Sequence, residues 1–147
     1  MPTLWFAALL MLGVLQEGAS APSSGAAAAA PTLSVAETAA ISRQIATLRS
    51  PVDRSVANGW SDAKKVAELL CRPAALPVLK KQLAGVDRVF LGTDDPKTLT
   101  LHGPEKLMGT GSARYSGGWR DFTFTCELDP ATAKVTSFDA VQTPAAQ

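Results

Sequence analysis

Apolar and polar residues alternate from Phe122 to Leu128. Phe122, Phe124, Cys126 and Leu128 fall on one side, and Thr123, Thr125 and Glu127 on the other. Period two predicts a half-buried antiparallel strand. The wider stretch Gly109–Phe138 holds three strand-like runs divided by two turn signals. Ser116-Gly117-Gly118 suits a tight hairpin, and Asp129-Pro130-Ala131-Thr132 suits a type I turn with proline at its second position. The run before the first turn is Leu107–Tyr115, and the run after the second is Lys134–Ala140. Gly109 and Gly111 share a face there, which leaves room for a bulky neighbour such as Trp119 or a phenylalanine. Asp87–Leu91 and Leu99–His102, divided by the turn Gly92–Pro96, add two shorter strands upstream.

Before these strands the period is helical. Val35, Ala39, Ile41, Ile45 and Leu48 predict a helix over Ser34–Leu48, with Glu37, Arg43 and Gln44 off its stripe. Ser34 with Glu37 three residues on matches a capping box, and Ser50-Pro51 ends the helix. Val52–Ala57 reads as a further short turn of helix, closed by Asn58-Gly59. Ser61 caps a second helical region that extends to Gly85, with Val66, Leu69, Leu70 and Cys71 inward. Pro73 is expected to break it, and Pro77 to open another short helix with Leu79 and Leu83 inward. The pattern as a whole predicts an α+β fold, N-terminal helices packed on a C-terminal antiparallel sheet of about four to five strands.

The chain has 147 residues, enough for one domain. Its head changes the picture. Leu4–Leu15 is an apolar run too short to be a comfortable membrane span, and Gly18-Ala19-Ser20-Ala21 supplies small residues for cleavage. Residues 1–21 therefore read as a secretory signal, and the protein is expected to be periplasmic or secreted, with no stable membrane anchor after cleavage. Residues 22–33 are expected to be a disordered linker, made of Ala, Pro, Ser and Gly up to Pro31, residues 34–140 form the domain, and residues 141–147 are a frayed tail.

Formal net charge is +1 with scattered basic residues, which gives no footprint for a nucleic-acid partner. Two cysteines and one histidine fall short of a four-ligand zinc site, so no metal and no cofactor is expected. Cys71 lies on the apolar side of a helix and Cys126 on the apolar face of a strand. A helix packed on that sheet face would bring them together, and export to an oxidising compartment favours a disulfide over two buried thiols.

No nucleophile sits in a G-x-S-x-G setting, and Gly109-Thr110-Gly111-Ser112 opens no helix. Asp94-Asp95 and Glu105 lack the ligand series of a calcium loop. His102, before Gly103-Pro104, reads as an exposed turn residue. As a general base it would need a carboxylate such as Asp121 or Asp139. Arg114, Tyr115, Trp119 and Arg120 flank the hairpin turn. That composition suits either a contact patch or a capped hairpin with an arginine stacked on Trp119.

Cys71-Arg72-Pro73-Ala74-Ala75-Leu76, Asp87-Arg88-Val89, Gly109-x-Gly111, Trp119-x-x-Phe122-x-Phe124-x-Cys126 and Val135-Thr136-Ser137-Phe138 together resemble a group of small exported proteobacterial proteins known as a domain of unknown function. The resemblance covers about Ser61–Ala140. Ala133 departs from it, standing where such hairpins usually carry a turn glycine. The resemblance implies export and a paired cysteine, and transfers no catalytic residue. The leading expectation is a non-catalytic domain with a binding or cell-envelope-associated role and an unknown protein or envelope partner. The alternatives are a small hydrolase-like enzyme using His102 and a purely structural secreted protein.

Overall fold

The computed structural model describes residues 32–144. The signal-like head, the linker up to residue 31 and the last three residues lie outside the described residues. Thr32 and Leu33, assigned to the linker by sequence, belong to the folded part. Thr32 Oγ1 donates to Asp62 Oδ2 at 2.6 Å, and Leu33 packs on the core.

Helix α1 is Val35–Ala46. Its capping box is reciprocal: the Glu37 N–H donates to Ser34 Oγ at 3.0 Å, and the Ser34 N–H donates to Glu37 Oε2 at 2.8 Å. The inward stripe differs from the expected one. Glu37, Ile41 and Ile45 are buried, while Val35 is 88% exposed. At 100° per residue Glu37 stands within about 40° of Ile41, whereas Val35 stands about 120° away. The two isoleucines set the rotation, and Glu37 follows them inward because its carboxylate is satisfied locally at the cap. Helix α2 is Pro51–Asn58, capped by Ser50.

Helix α3, Asp62–Val66, starts at the Ser61 cap. Pro73 does not break the helical path as its sequence predicts. Residues Ala67–Cys71 form a π-turn, in which the Arg72 N–H reaches the Ala67 carbonyl, and α4 follows directly as Arg72–Gln82 with both Pro73 and Pro77 inside. Proline has no N–H for the carbonyl four residues back, and its ring presses on that carbonyl. The wider π-turn relieves that pressure without ending the helix. It also brings Cys71 round to the core, where it is fully buried. The path ends at Gln82, ahead of Gly85, which adopts φ +75°.

Five antiparallel strands follow: β1 Arg88–Leu91, β2 Leu99–His102, β3 Lys106–Tyr115, β4 Gly118–Asp129 and β5 Lys134–Gln142. The order is β1-β3-β4-β5, and β2 lies in line with β1 along the same edge of β3. The two-residue loop Ser116-Gly117 joins β3 to β4, with Tyr115 opposite Gly118. At the other hairpin the Thr132 and Ala133 N–H groups both donate to the Asp129 carbonyl, and Ala133 adopts φ 61°. Strand β5 runs two residues past its expected end, and the Thr143 N–H still donates to the Asp121 carbonyl at 2.9 Å. The tail is therefore paired up to Thr143.

Alternation sorts the sheet into two faces. Leu107, Ala113, Phe122, Phe124, Cys126, Leu128 and Phe138 are buried with Val66, Ala67, Ala75 and Leu79 of the helices. The Cys71–Cys126 disulfide joins the π-turn to the middle of β4 through this core. The architecture is the expected α+β one, with helices on one face of the sheet. The opposite face carries polar residues and several exposed apolar ones.

Candidate functional site

Strand register places the side chains of the open face in rows. Arg88, Arg114 and Trp119 form the row nearest the Ser116-Gly117 loop, and Phe90, Ser112 and Asp121 form the next. Trp119 is 53% exposed and Phe90 40%. Their rings stack at 5.8 Å between centroids and 21° between planes. They sit on strands separated by β3, and the small Ser112 between them lets the two rings meet above it. Ser112 Oγ donates to Asp121 Oδ1 at 2.5 Å.

The four residues singled out around the hairpin divide between the faces. Arg114 and Trp119 are cross-strand neighbours on the open face. Tyr115 and Arg120 point to the helix side by the same alternation. There the Arg120 guanidinium lies 5.8 Å from the Tyr115 ring centre, and its Nη2 donates to Tyr115 Oη at 3.3 Å. The arginine stacked on an aromatic ring is thus on Tyr115. The ring on Trp119 is that of Phe90, so the capped-hairpin reading is corrected at this point. Phe90 sits on a separate, short strand, and only the pairing of β1 with β3 brings it here.

Three further residues join this end of the sheet. Arg114 grips Asp87 with Nε at 2.8 Å and Nη2 at 2.7 Å. That fork holds the Asp87 carboxyl below its ordinary value and raises the Arg114 guanidinium. Arg72, from the start of α4, lies 5.8 Å from the Phe90 ring centre and pairs with Glu68 at 2.8 Å. Arg88 faces Arg114 directly across the ladder. The Asp87-Arg88-Val89 run marked this segment in sequence, but nothing in its spacing joined it to Trp119. Beside the aromatic pair, a groove of about 470 Å³ extends past Lys64, Glu68 and Thr93.

His102 lies at the far end of the same face, opposite Lys106, and is exposed. A groove of about 420 Å³ runs from it past Met108 and Thr123 to Asp139. The two titratable groups do not meet in it. Asp139 pairs with Thr125 on the opposite edge strand, three strand spacings or about 14 Å across from the His102 strand. Asp121 is opposite Ser112, six residues further along β3 than Lys106, or about 20 Å away. Neither carboxylate suggested for His102 is within hydrogen-bond reach of it. Asp95 is occupied as the cap of the short 3-10 turn Pro96–Thr98, where its Oδ1 accepts from the Lys97 N–H at 2.9 Å. Among the described residues no group of three or more His, Cys, Asp or Glu is placed to hold a metal ion.

Comparison with known families, with curated proteins and with solved structures gives no match for this chain.

Proposed function

We propose that this is an exported, non-catalytic binding domain that engages a protein or envelope partner through the arginine–aromatic end of its open sheet face. The observation that carries the reading is the stacked Phe90–Trp119 pair. Two large rings stand half in solvent on a face the helices leave uncovered, flanked by Arg72, Arg88 and Arg114. Trp and Arg are enriched among the few residues that carry most of the binding energy at protein interfaces, because each offers a wide apolar surface together with directed polar atoms. A buried disulfide supports an oxidising compartment, as does the signal-like head. The distance of His102 from both Asp121 and Asp139 weighs against the hydrolase-like alternative.

Photo-crosslinking in the native host tests this. A benzophenone amino acid is placed at position 119, and in a second strain at the exposed position of Val52 on α2. Discrete adducts in the envelope fraction at position 119, with none at position 52, are the expected result. Equal labelling at both positions, or none at position 119, overturns the reading.

A further inference from the structure

We infer that the open sheet face packs against the same face of a second copy of this chain, about a twofold axis passing near Thr110; this rests on the binding role proposed above and names its partner. Register sets Thr110, Thr123 and Val141 side by side in the middle row of the face, with Met108 and Thr125 in the next row. This centre is uncharged. Charged side chains gather towards the two ends of the strands and the β5 edge, and they carry both signs. Arg114 is held by Asp87 at one end, and Lys106 by Glu127 at 3.7 Å at the other. Asp121, one row from the centre, is bonded to Ser112. An uncharged middle inside a charged rim is the anatomy of a protein interface.

Two observations favour a second copy over another occupant. The first is charge. A twofold through the centre sets uncharged middle on uncharged middle, and around it neither sign is in excess, so the face complements itself. The second is area. The 10 residues of β3 span about 34 Å, and the four strand positions of the sheet about 19 Å. Two such faces in contact bury about 1,300 Å² together, within the range of stable, specific interfaces. At the usual sheet-to-sheet spacing of about 10 Å they cover the apolar residues of the whole face. Phe90 and Met108 are each 40% exposed in a single copy, Trp119 53% and Val141 69%. Association takes that surface out of water. A helix or one extended peptide would cover one or two strand positions and leave the rest wet. A lipid surface would have to take up the carboxylates of Asp121 and Asp139 along with the apolar side chains.

Sedimentation equilibrium of the native protein tests this. A dimer that forms in the micromolar range is expected, since the area is at the lower end for a specific interface. Thr110→Arg puts a long charged side chain at the axis on both copies and should weaken the dimer at least about tenfold. Met108→Glu, one row away, is a second probe and should act in the same direction. Val52→Arg on α2 should leave association unchanged. Far-UV circular dichroism confirms that each variant is folded. A native protein that stays monomeric up to millimolar concentration overturns the inference, and so does a dimer indifferent to both face variants. The adduct captured at position 119 should weigh twice the chain. Another protein, a glycan or a lipid in that adduct overturns the second copy and leaves the binding role standing. If position 119 captures nothing, the role itself falls.

Discussion

The ring of Phe122 occupies the space where a side chain on Gly111 would begin. The two residues are cross-strand partners, and a Cβ at Gly111 would come within 2.5 Å of the ring and 2.6 Å of the Phe90 carbonyl oxygen. Phe122 is fully buried and has no room to retreat. Gly111→Ala should therefore lower stability by about 1–3 kcal/mol, the usual cost of overpacking a filled core. Gly103→Ala is the control, since no atom lies within 4 Å of the Cβ it would gain, and only its φ of 61° resists. Urea denaturation of both variants checks the order. A Gly111→Ala protein as stable as the native one would refute the packing.

The disulfide makes a second prediction. Cys71 and Cys126 are fully buried and their bridge spans 55 residues of chain. Closing a loop of that length removes unfolded-state entropy amounting to about 4 kcal/mol in the chain-entropy model. A Cys71→Ala, Cys126→Ala double variant should lose up to that amount in chemical denaturation. The native protein should take no thiol reagent until it is both reduced and unfolded.

Glu37 gives a pH dependence. Burial pushes its carboxyl above the ordinary 4.5, more strongly than its backbone and hydroxyl bonds with Ser34 pull it down. Between 4.5 and the raised value, the folded chain binds more protons than the unfolded one. The stability contributed by protonated Glu37 is fully present below pH 4.5 and is lost as pH rises through the folded value. Glu37→Gln keeps an acceptor for the Ser34 N–H and carries no charge. It should flatten this part of the pH profile and be at least as stable as the native protein at pH 7. Glu37→Ala loses the cap and should cost about 1 kcal/mol. Urea midpoints at pH 4.5 and pH 7 separate the three proteins.

At Ala133 the prediction is a gain. A non-glycine residue at φ 61° is in the left-handed region, which costs about 1–2 kcal/mol relative to the right-handed one. Ala133→Gly removes that strain and adds unfolded-state entropy that partly offsets it. A net stabilisation of up to about 1 kcal/mol, read as a higher melting temperature, is expected. A lower one would show that the Ala133 methyl, which is buried, contributes more by packing than its backbone costs.

Sequence by itself determined the elements whose signals are local. Period two wrote β4, because each residue's side of a strand follows from its place in the order alone. The caps at Ser34 and Ser61 were readable, because a cap bonds within three residues of itself. The two hairpins were readable for the same reason, and the pairing of Cys71 with Cys126 was expected from two apolar faces that could meet together with the export signal that favours a bridge over two thiols. Tertiary structure decided the rest. Pro73 read as a break, but packing of the helix on the sheet favours a widened turn over an ended helix. Glu37 read as polar surface, but the isoleucines beside it set which way α1 turns. The patch around Trp119 was written as four neighbours in sequence. Strand alternation sent two of them to the other face, and β1 supplied Phe90, Arg88 and the adjoining Asp87 in their place. Which distant strand lies alongside is fixed by the total burial of the sheet, and no single segment carries that information.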